Sequence, residues 1–90
     1  MSLTLKVVTP NGEREAVTCD SVHLSVQDNG QGKGGGRYGI RSGHVQALLS
    51  VAADRVEALQ KGKVVLAGQC GNGFATIENN TVTLVVEQFM

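Results

Sequence analysis

Residues 30–35 read Gly-Gln-Gly-Lys-Gly-Gly, a formal GxGxxG. In dinucleotide-binding proteins that spacing lets backbone N–H groups approach a pyrophosphate. The chemistry needs a strand before the glycines, a helix N-terminus directly after them and a βαβ context. Here the run continues Gly36-Arg37-Tyr38-Gly39-Ile40 with no helix opening, so the match fails on context. Gly32-Lys33 fares no better as a phosphate-binding P-loop. Gln27 stands where its first glycine belongs, and Gly34 where Ser or Thr would bind magnesium.

The two histidines, His23 and His44, are the next candidates. His23 falls on the polar side of an alternating stretch, with no Cys, His, Asp or Glu set nearby to complete a metal site. A solvated imidazole is expected there. His44 follows Ser42-Gly43 and has no adjacent nucleophile or orienting carboxylate, so it reads as a turn histidine. Cys19 and Cys70 lack CxxC spacing and are expected as free thiols of a reducing compartment. Cys70, set among glycines, is expected to be partly exposed, with nothing beside it to lower its pKa. Asn79-Asn80-Thr81 fits a glycosylation sequon, but a cytoplasmic hairpin turn accounts for it better. No nucleophile–base pair and no ligand set emerges. The residues predict no catalytic site, no metal and no cofactor.

The elements that position these residues are mostly strands. Leu3, Leu5 and Val7 alternate with Thr4 and Lys6, and Pro10-Asn11-Gly12 closes that run with turn chemistry. Residues 13–17 form a short return strand. Val22, Leu24 and Val26 alternate with His23, Ser25 and Gln27. Lys61-Gly62 turns into a β-branched run over 63–67, and a second glycine cluster over 68–73 leads to Phe74, Ala75, Thr76 and Ile77. A tight Asn79-Asn80 hairpin then precedes alternating Val82, Leu84 and Val86. Residues 45–59 are ambiguous. Val45, Leu48, Leu49, Ala52, Val56 and Leu59 follow helical spacing, and local pattern prefers an amphipathic helix there over paired strands. Many short strands between Gly/Asn turns predict an all-β fold, a small antiparallel β-sandwich or flattened barrel, as one domain over 1–90.

Composition narrows the function classes. Eight basic and eight acidic residues cancel, whereas non-specific nucleic-acid binders carry a basic excess. Phe74, Phe89 and Tyr38 are the only aromatics, too few for a base-stacking platform. No nucleic-acid partner is expected. No apolar run reaches 18 residues, so no transmembrane helix and no direct membrane insertion are expected. The opening MSLTLKVVTP has no charged region before an apolar stretch, and is not expected to be a secretory signal. Six of the ten residues over 30–39 are glycine. Ordering that stretch costs roughly 1–2 kcal/mol per residue of backbone entropy, so either it stays mobile or a partner holds it.

Several segments together carry a family resemblance. Gly39-Ile40-Arg41-Ser42-Gly43-His44 with Leu48-Leu49-Ser50 resembles the GI-x-x-GH-x-x-LL segment of the epsilon subunit of F-type ATP synthases. Leu66-Ala67-Gly68, then Gly73-Phe74-Ala75-Thr76-Ile77-Glu78-Asn79-Asn80-Thr81-Val82-Thr83-Leu84, resembles a later family segment, with an insertion at the second glycine cluster. Leu5-Lys6-Val7-Val8-Thr9-Pro10 is similar to the family's opening. The segments occur in the family's order across nearly the whole chain.

The resemblance implies a β-sandwich of about ten short strands, which would turn 45–59 into paired strands. It implies a non-catalytic rotor subunit at the foot of the central stalk, one copy per complex. Its place would be the cytoplasmic face of a bacterial inner membrane, coupling ion flow through the c-ring to ATP synthesis. By the same resemblance Ser42, Gly43, His44, Val45 and Gln46 would face the gamma subunit, and Asn29, Gln31, Lys33, Arg37 and Tyr38 the c-ring. There are departures. Family members continue into a C-terminal helix pair, while these residues stop at Met90, so no inhibitory or ATP-sensing role is expected of them. The family's compact acidic turn is replaced by a longer loop in which Lys33, Arg37 and Arg41 face Asp28 alone over 28–41. The proline that usually follows Gly-His is absent. The competing reading from the residues is a free-standing β-sandwich module, binding an anionic small molecule through this Gly-rich basic loop.

Overall fold

Alternation of apolar and polar residues sets the architecture. The computed structural model describes residues 2–27 and 36–90. Its strands are β1 (Leu3–Thr9), β2 (Gly12–Cys19), β3 (Ser21–Val26), β4 (Gly36–Arg41), β5 (Ala47–Val51), β6 (Asp54–Gln60), β7 (Lys63–Cys70), β8 (Gly73–Glu78) and β9 (Thr81–Val86). Leu3, Leu5 and Val7 of β1, Ala75 and Ile77 of β8, and Val82, Leu84 and Val86 of β9 turn inward. They meet Val22, Leu24, Ile40, Val51, Val56 and Ala58 in a single core. Period-2 burial of this kind is what a two-layer β fold demands.

The strands form one sheet ordered β2-β1-β9-β8-β5-β3-β6-β7, with β4 on β3. Because β2 lies against β6 and β7, the sheet folds over itself into a flattened, nearly closed barrel of 34 × 29 × 22 Å. The strand that turns the corner is β3. One edge pairs along its whole length with β4. The other edge is divided: Ser21, Val22 and His23 pair with β6, and Val26 pairs with Val51 of β5. Every pairing is antiparallel except β1 with β9. Those two lie at opposite ends of the chain, so no hairpin dictates their relative direction.

Two local expectations are corrected. Residues 45–59 are not a helix; they supply β5 and β6. The helical stripe would have buried Val45 and Leu48, yet these are 75% and 69% exposed. Val51, Val56 and Ala58 are buried instead, where β8, β3 and β7 pair with these strands and complete their backbone hydrogen bonding. Tertiary pairing has overridden a weak helix propensity.

The second correction concerns the glycine cluster. The strand expected over 63–67 does not stop there: β7 runs on into the cluster as far as Cys70 and leaves only Gly71 and Asn72 before β8. The reason is the chain end, which lies along it. Gln69 N–H donates to the Met90 carbonyl at 3.0 Å and Met90 N–H to Gln69 at 2.9 Å, while Gly71 N–H donates to Gln88 at 2.9 Å. A Cβ on Gly68 would stand 2.7 Å from the Phe89 ring, and one on Gly73 only 2.0 Å from the Val85 carbonyl oxygen. The glycines are therefore seats for close-packed neighbours. Phe89 pairs with Cys70 in an isolated bridge, and Cys70 is 4% exposed rather than partly open.

The turns follow their residues. Lys61 and Gly62 (φ 52° and 78°) and Asn79 and Asn80 (φ 50° and 58°) form two-residue hairpins with both central residues left-handed, the geometry that matches strand twist. After Val56 and Ala58, Gln60 continues β6, and its Oε1 is buried with no hydrogen-bond partner among the described residues. Gln60→Met is expected to raise stability by about 1 kcal/mol, because an unpaired buried acceptor is removed at similar volume. Gly73→Ala is expected to lower it by on the order of 3 kcal/mol, because the added methyl meets backbone rather than a movable side chain. Urea unfolding followed by circular dichroism measures both. Equal midpoints for Gly73→Ala and wild type would refute the packing argument.

Candidate functional site

The loop over 42–46 joins β4 to β5 and is fixed from several sides. Gly43 supplies a left-handed residue, φ +82°, and His44 N–H donates to the Arg41 carbonyl at 3.2 Å. Gly43 N–H donates to Asn80 Oδ1 at 2.7 Å, across 37 residues of sequence. Asn80 also accepts the Thr4 N–H on its backbone carbonyl at 2.9 Å. One turn residue thus ties β1, the β8–β9 hairpin and this loop together.

His44 has a defined role in the loop. Its Nδ1 lies 2.7 Å from the Val45 carbonyl, and a carbonyl only accepts, so Nδ1 carries the hydrogen. In the neutral ring Nε2 is then an acceptor, and Tyr38 O–H donates to it at 2.8 Å. The two rings meet edge-on, with centroids 5.8 Å apart. The expected turn histidine is confirmed, with Tyr38 as its partner. Val45 and Gln46 are left pointing outward from this braced loop.

An apolar surface continues from the loop across the sheet. On β5 and β8, Leu48 lies opposite Thr76 and Ser50 opposite Phe74. On β9, Thr83 and Val85 extend those rows. Leu48 is 69% and Phe74 45% exposed, and a shallow groove lined by Gln46, Ala47, Leu48, Thr76 and Glu78 runs beside the loop. Exposed apolar area of this kind is surface on which another molecule could dock. Leu48 and Phe74 were not singled out from the sequence. The available signal was apolar residues on both parities, Leu48-Leu49, Phe74-Ala75 and Val85-Val86, meaning strands with two sticky faces.

The opposite layer carries charge instead. Ser25 O–H donates to Asp54 Oδ2 at 2.6 Å. Arg37 donates to Ser25 Oγ at 3.3 Å and to the Arg55 carbonyl, and forms ion pairs with Asp54 at 3.8 Å and Glu57 at 3.9 Å. Arg55 Nε pairs with Glu57 at 3.2 Å. This network clamps β4 to β6 across β3. Of the residues expected at the ring, Arg37 is engaged in that clamp and Tyr38 in the His44 contact, on opposite faces of β4. Asn29, Gln31 and Lys33 lie outside the described residues. His23 is half-buried rather than fully solvated, its ring against Gly39. Among the described residues, no three His, Cys, Asp or Glu side chains gather where a metal could be held. Nor is any helix among them long and apolar enough to cross a membrane. Burial, then the charge of Asp20, pushes the Cys19 thiol up, so it stays protonated at neutral pH.

The hydrogen bond from Ser25, then that from Arg55 N–H, holds the Asp54 carboxyl below its ordinary value of 3.8, with Arg37 adding to the effect. A depressed folded-state pKa stabilises above the unfolded value and is lost as pH falls through the folded one. Asp54→Asn is therefore expected to leave a smaller loss of thermal stability than wild type as pH drops below 3.8. Melting temperatures across that interval measure it, and identical slopes for the two proteins would remove Asp54 from the clamp.

No protein-family model matches the chain, and no curated protein sequence matches it. Solved structures do. A chain in the cryo-EM structure of the central stalk and c-ring of the Tetrahymena thermophila mitochondrial ATP synthase superposes with a TM-score of 0.72 at 12% identity, over 100% of this chain and 66% of that one. A chain in the cryo-EM structure of the Euglena gracilis mitochondrial ATP synthase in rotational state 1 also gives 0.72, at 15% identity, over 99% of this chain and 52% of that one. The chain thus spans about half to just under two thirds of the length of these neighbours. At such identities the likeness establishes a shared fold, and the fold is the β-sandwich-like barrel expected from the strand pattern.

Proposed function

We propose that the chain is a non-catalytic central-stalk subunit of a rotary F-type ATP synthase, equivalent to the N-terminal domain of the epsilon subunit. The observation that carries the reading is whole-chain fold likeness to chains of two ATP synthase structures, coinciding with family-like segments in the same order along the sequence. On this reading the protein has no reaction of its own. It couples ion flow through the c-ring to ATP synthesis by giving the gamma subunit a rigid foot, at the cytoplasmic face of a bacterial inner membrane.

The geometry suits that task. Torque passes through a contact only if the contact does not yield, and a loop already fixed by Asn80 and Tyr38 loses little entropy on docking. Ser42, Gly43, His44, Val45 and Gln46 form the gamma-facing loop, which Leu48 and Phe74 extend over the sheet. Asn29, Gln31, Lys33 and Arg37 belong to the end that meets the ring, whereas Tyr38, bonded to His44, braces the gamma-facing loop instead. Arg37 would act there by anchoring β4 beside the Gly-rich segment. Its commitment to Asp54 and Glu57 also withdraws one of the three cations that an anion-binding loop would use, which counts against the free-standing ligand module.

Co-purification with the cognate gamma subunit and c-ring at low salt tests the reading, and failure of the wild-type chain to bind gamma would end it. Val45→Asp and Leu48→Asp should each weaken gamma binding by about tenfold or more, since each would bury an unpaired charge. Val64→Asp, at a site 49% exposed on β7, should bind as wild type does.

A further inference from the structure

A second site lies on the charged layer. A cavity of about 440 Å³ opens between β3, β4 and the β6–β7 turn, lined by Asp20, Ser21, His23, Arg41, Ser42 and Leu59. The register explains its composition. Ser21 lies opposite Arg41 and His23 opposite Gly39 on one side, and opposite Leu59 and Glu57 on the other. Gly39 matters because a Cβ there would come within 3.3 Å of the His23 ring. Its absence lets the imidazole approach β4 closely. Arg41 has no ion-pair partner among the described residues, and its guanidinium, the His23 ring and the Ser42 hydroxyl all offer donors.

The one carboxylate in the wall is Asp20. Its Oδ2 accepts the Lys61 N–H at 2.7 Å, which fixes the side chain, while Asp20 N–H donates to the Leu59 carbonyl at 2.8 Å. Its other oxygen is an acceptor held in place. Nearby Glu57 is occupied by Arg55 and Arg37. The lining therefore presents several donors and a single fixed anionic acceptor. A fully deprotonated oxyanion meets repulsion at Asp20. An oxyanion that keeps an O–H satisfies both halves, accepting from Arg41, His23 and Ser42 while donating to Asp20.

We infer that this cavity binds a hydrogen-phosphate group, as the free ion or as a phosphate monoester, with Asp20 discriminating against sulfate. The site needs no partner subunit, and its test is independent of whether the chain docks on a stalk.

The experiment is a titration of the full chain at pH about 5.5, where a phosphate monoester retains its last proton. Backbone amide NMR is followed with inorganic phosphate, methyl phosphate and sulfate at matched ionic strength. Phosphate should shift the amides of Ser21, His23, Arg41, Ser42 and Gly62 along one saturable curve, with sulfate at least about tenfold weaker. Saturation by methyl phosphate as well would show that the esterified group fits, and saturation by inorganic phosphate alone would assign the free ion. Arg41→Ala, at an exposed position, should weaken phosphate binding by about tenfold or more. Asp20→Asn keeps an acceptor for Lys61 N–H and so preserves the turn; it should bring sulfate to within a few-fold of phosphate. Non-saturable shifts with phosphate, or equal affinity for the two anions in wild type, would overturn the proposal.

Discussion

The structure depends on how β3 shares its edges. A strand has two rows of hydrogen-bonding groups, and here one row serves β4 throughout while the other is split between β6 and β5. That split lets one continuous sheet pass from one layer to the next without leaving an open edge inside the core. It also places Ser25 beside the start of β6, where its hydroxyl reaches Asp54. The Arg37 clamp is a consequence of the same geometry. It sits on the outer side of the corner, holding β4 and β6 to the strand between them, and Gln27 Nε2 adds a bond to the Val51 carbonyl at 2.9 Å on the other branch.

What the sequence disclosed and what it concealed follow from the range of the interactions. The alternation in β1, β3 and β9 is local, and those strands were legible, as were the Asn79-Asn80 and Lys61-Gly62 turns, signalled by Asn and Gly, which tolerate positive φ. The state of 45–59 was concealed because it is decided by partners. Leu48 and Leu49 suit a helix locally, but β8 offers β5 a full row of backbone bonds. The extension of β7 past residue 67 was concealed because the constraint on the glycines at 68, 71 and 73 comes from residues 85–90. The braced loop over 42–46 was half legible. His44 could be read as a turn residue, but nothing local indicates that Tyr38 and Asn80 brace it.

The two outer faces divide along the same corner. The layer built from β1, β9, β8 and β5 presents threonine, valine, leucine and phenylalanine in cross-strand rows, with Lys6 and Glu78 among its few charges. The layer built from β4, β3 and β6 presents Arg41, His23, Glu57, Arg37 and Arg55. A near-neutral composition therefore conceals two surfaces of different chemistry. One fits a broad, dry contact and the other a small polar ligand.

The edges show that the apolar face is not an accident of a poorly covered sheet. Exposed edges are where β proteins risk joining one another, and they are commonly guarded by charge, bulges or covering segments. Glu13, Arg14 and Glu15 of β2 are all exposed, and the register shift opposite Val7 and Val8 leaves Arg14 bulged. The start of β7 carries Lys63 and a second register shift, and its far end is covered by residues 88–90. The arginines of β4 do the same at the corner. Besides Val64 and Val65 at the start of β7, the exposed apolar area includes Val45, Leu48 and Phe74 beside and on the β5–β8 face, where side chains rather than backbone would make the contact. Contact through side chains on a rigid face can be specific to one partner, whereas contact through an edge accepts any strand. A protein that must make specific contacts without aggregating is well served by this arrangement.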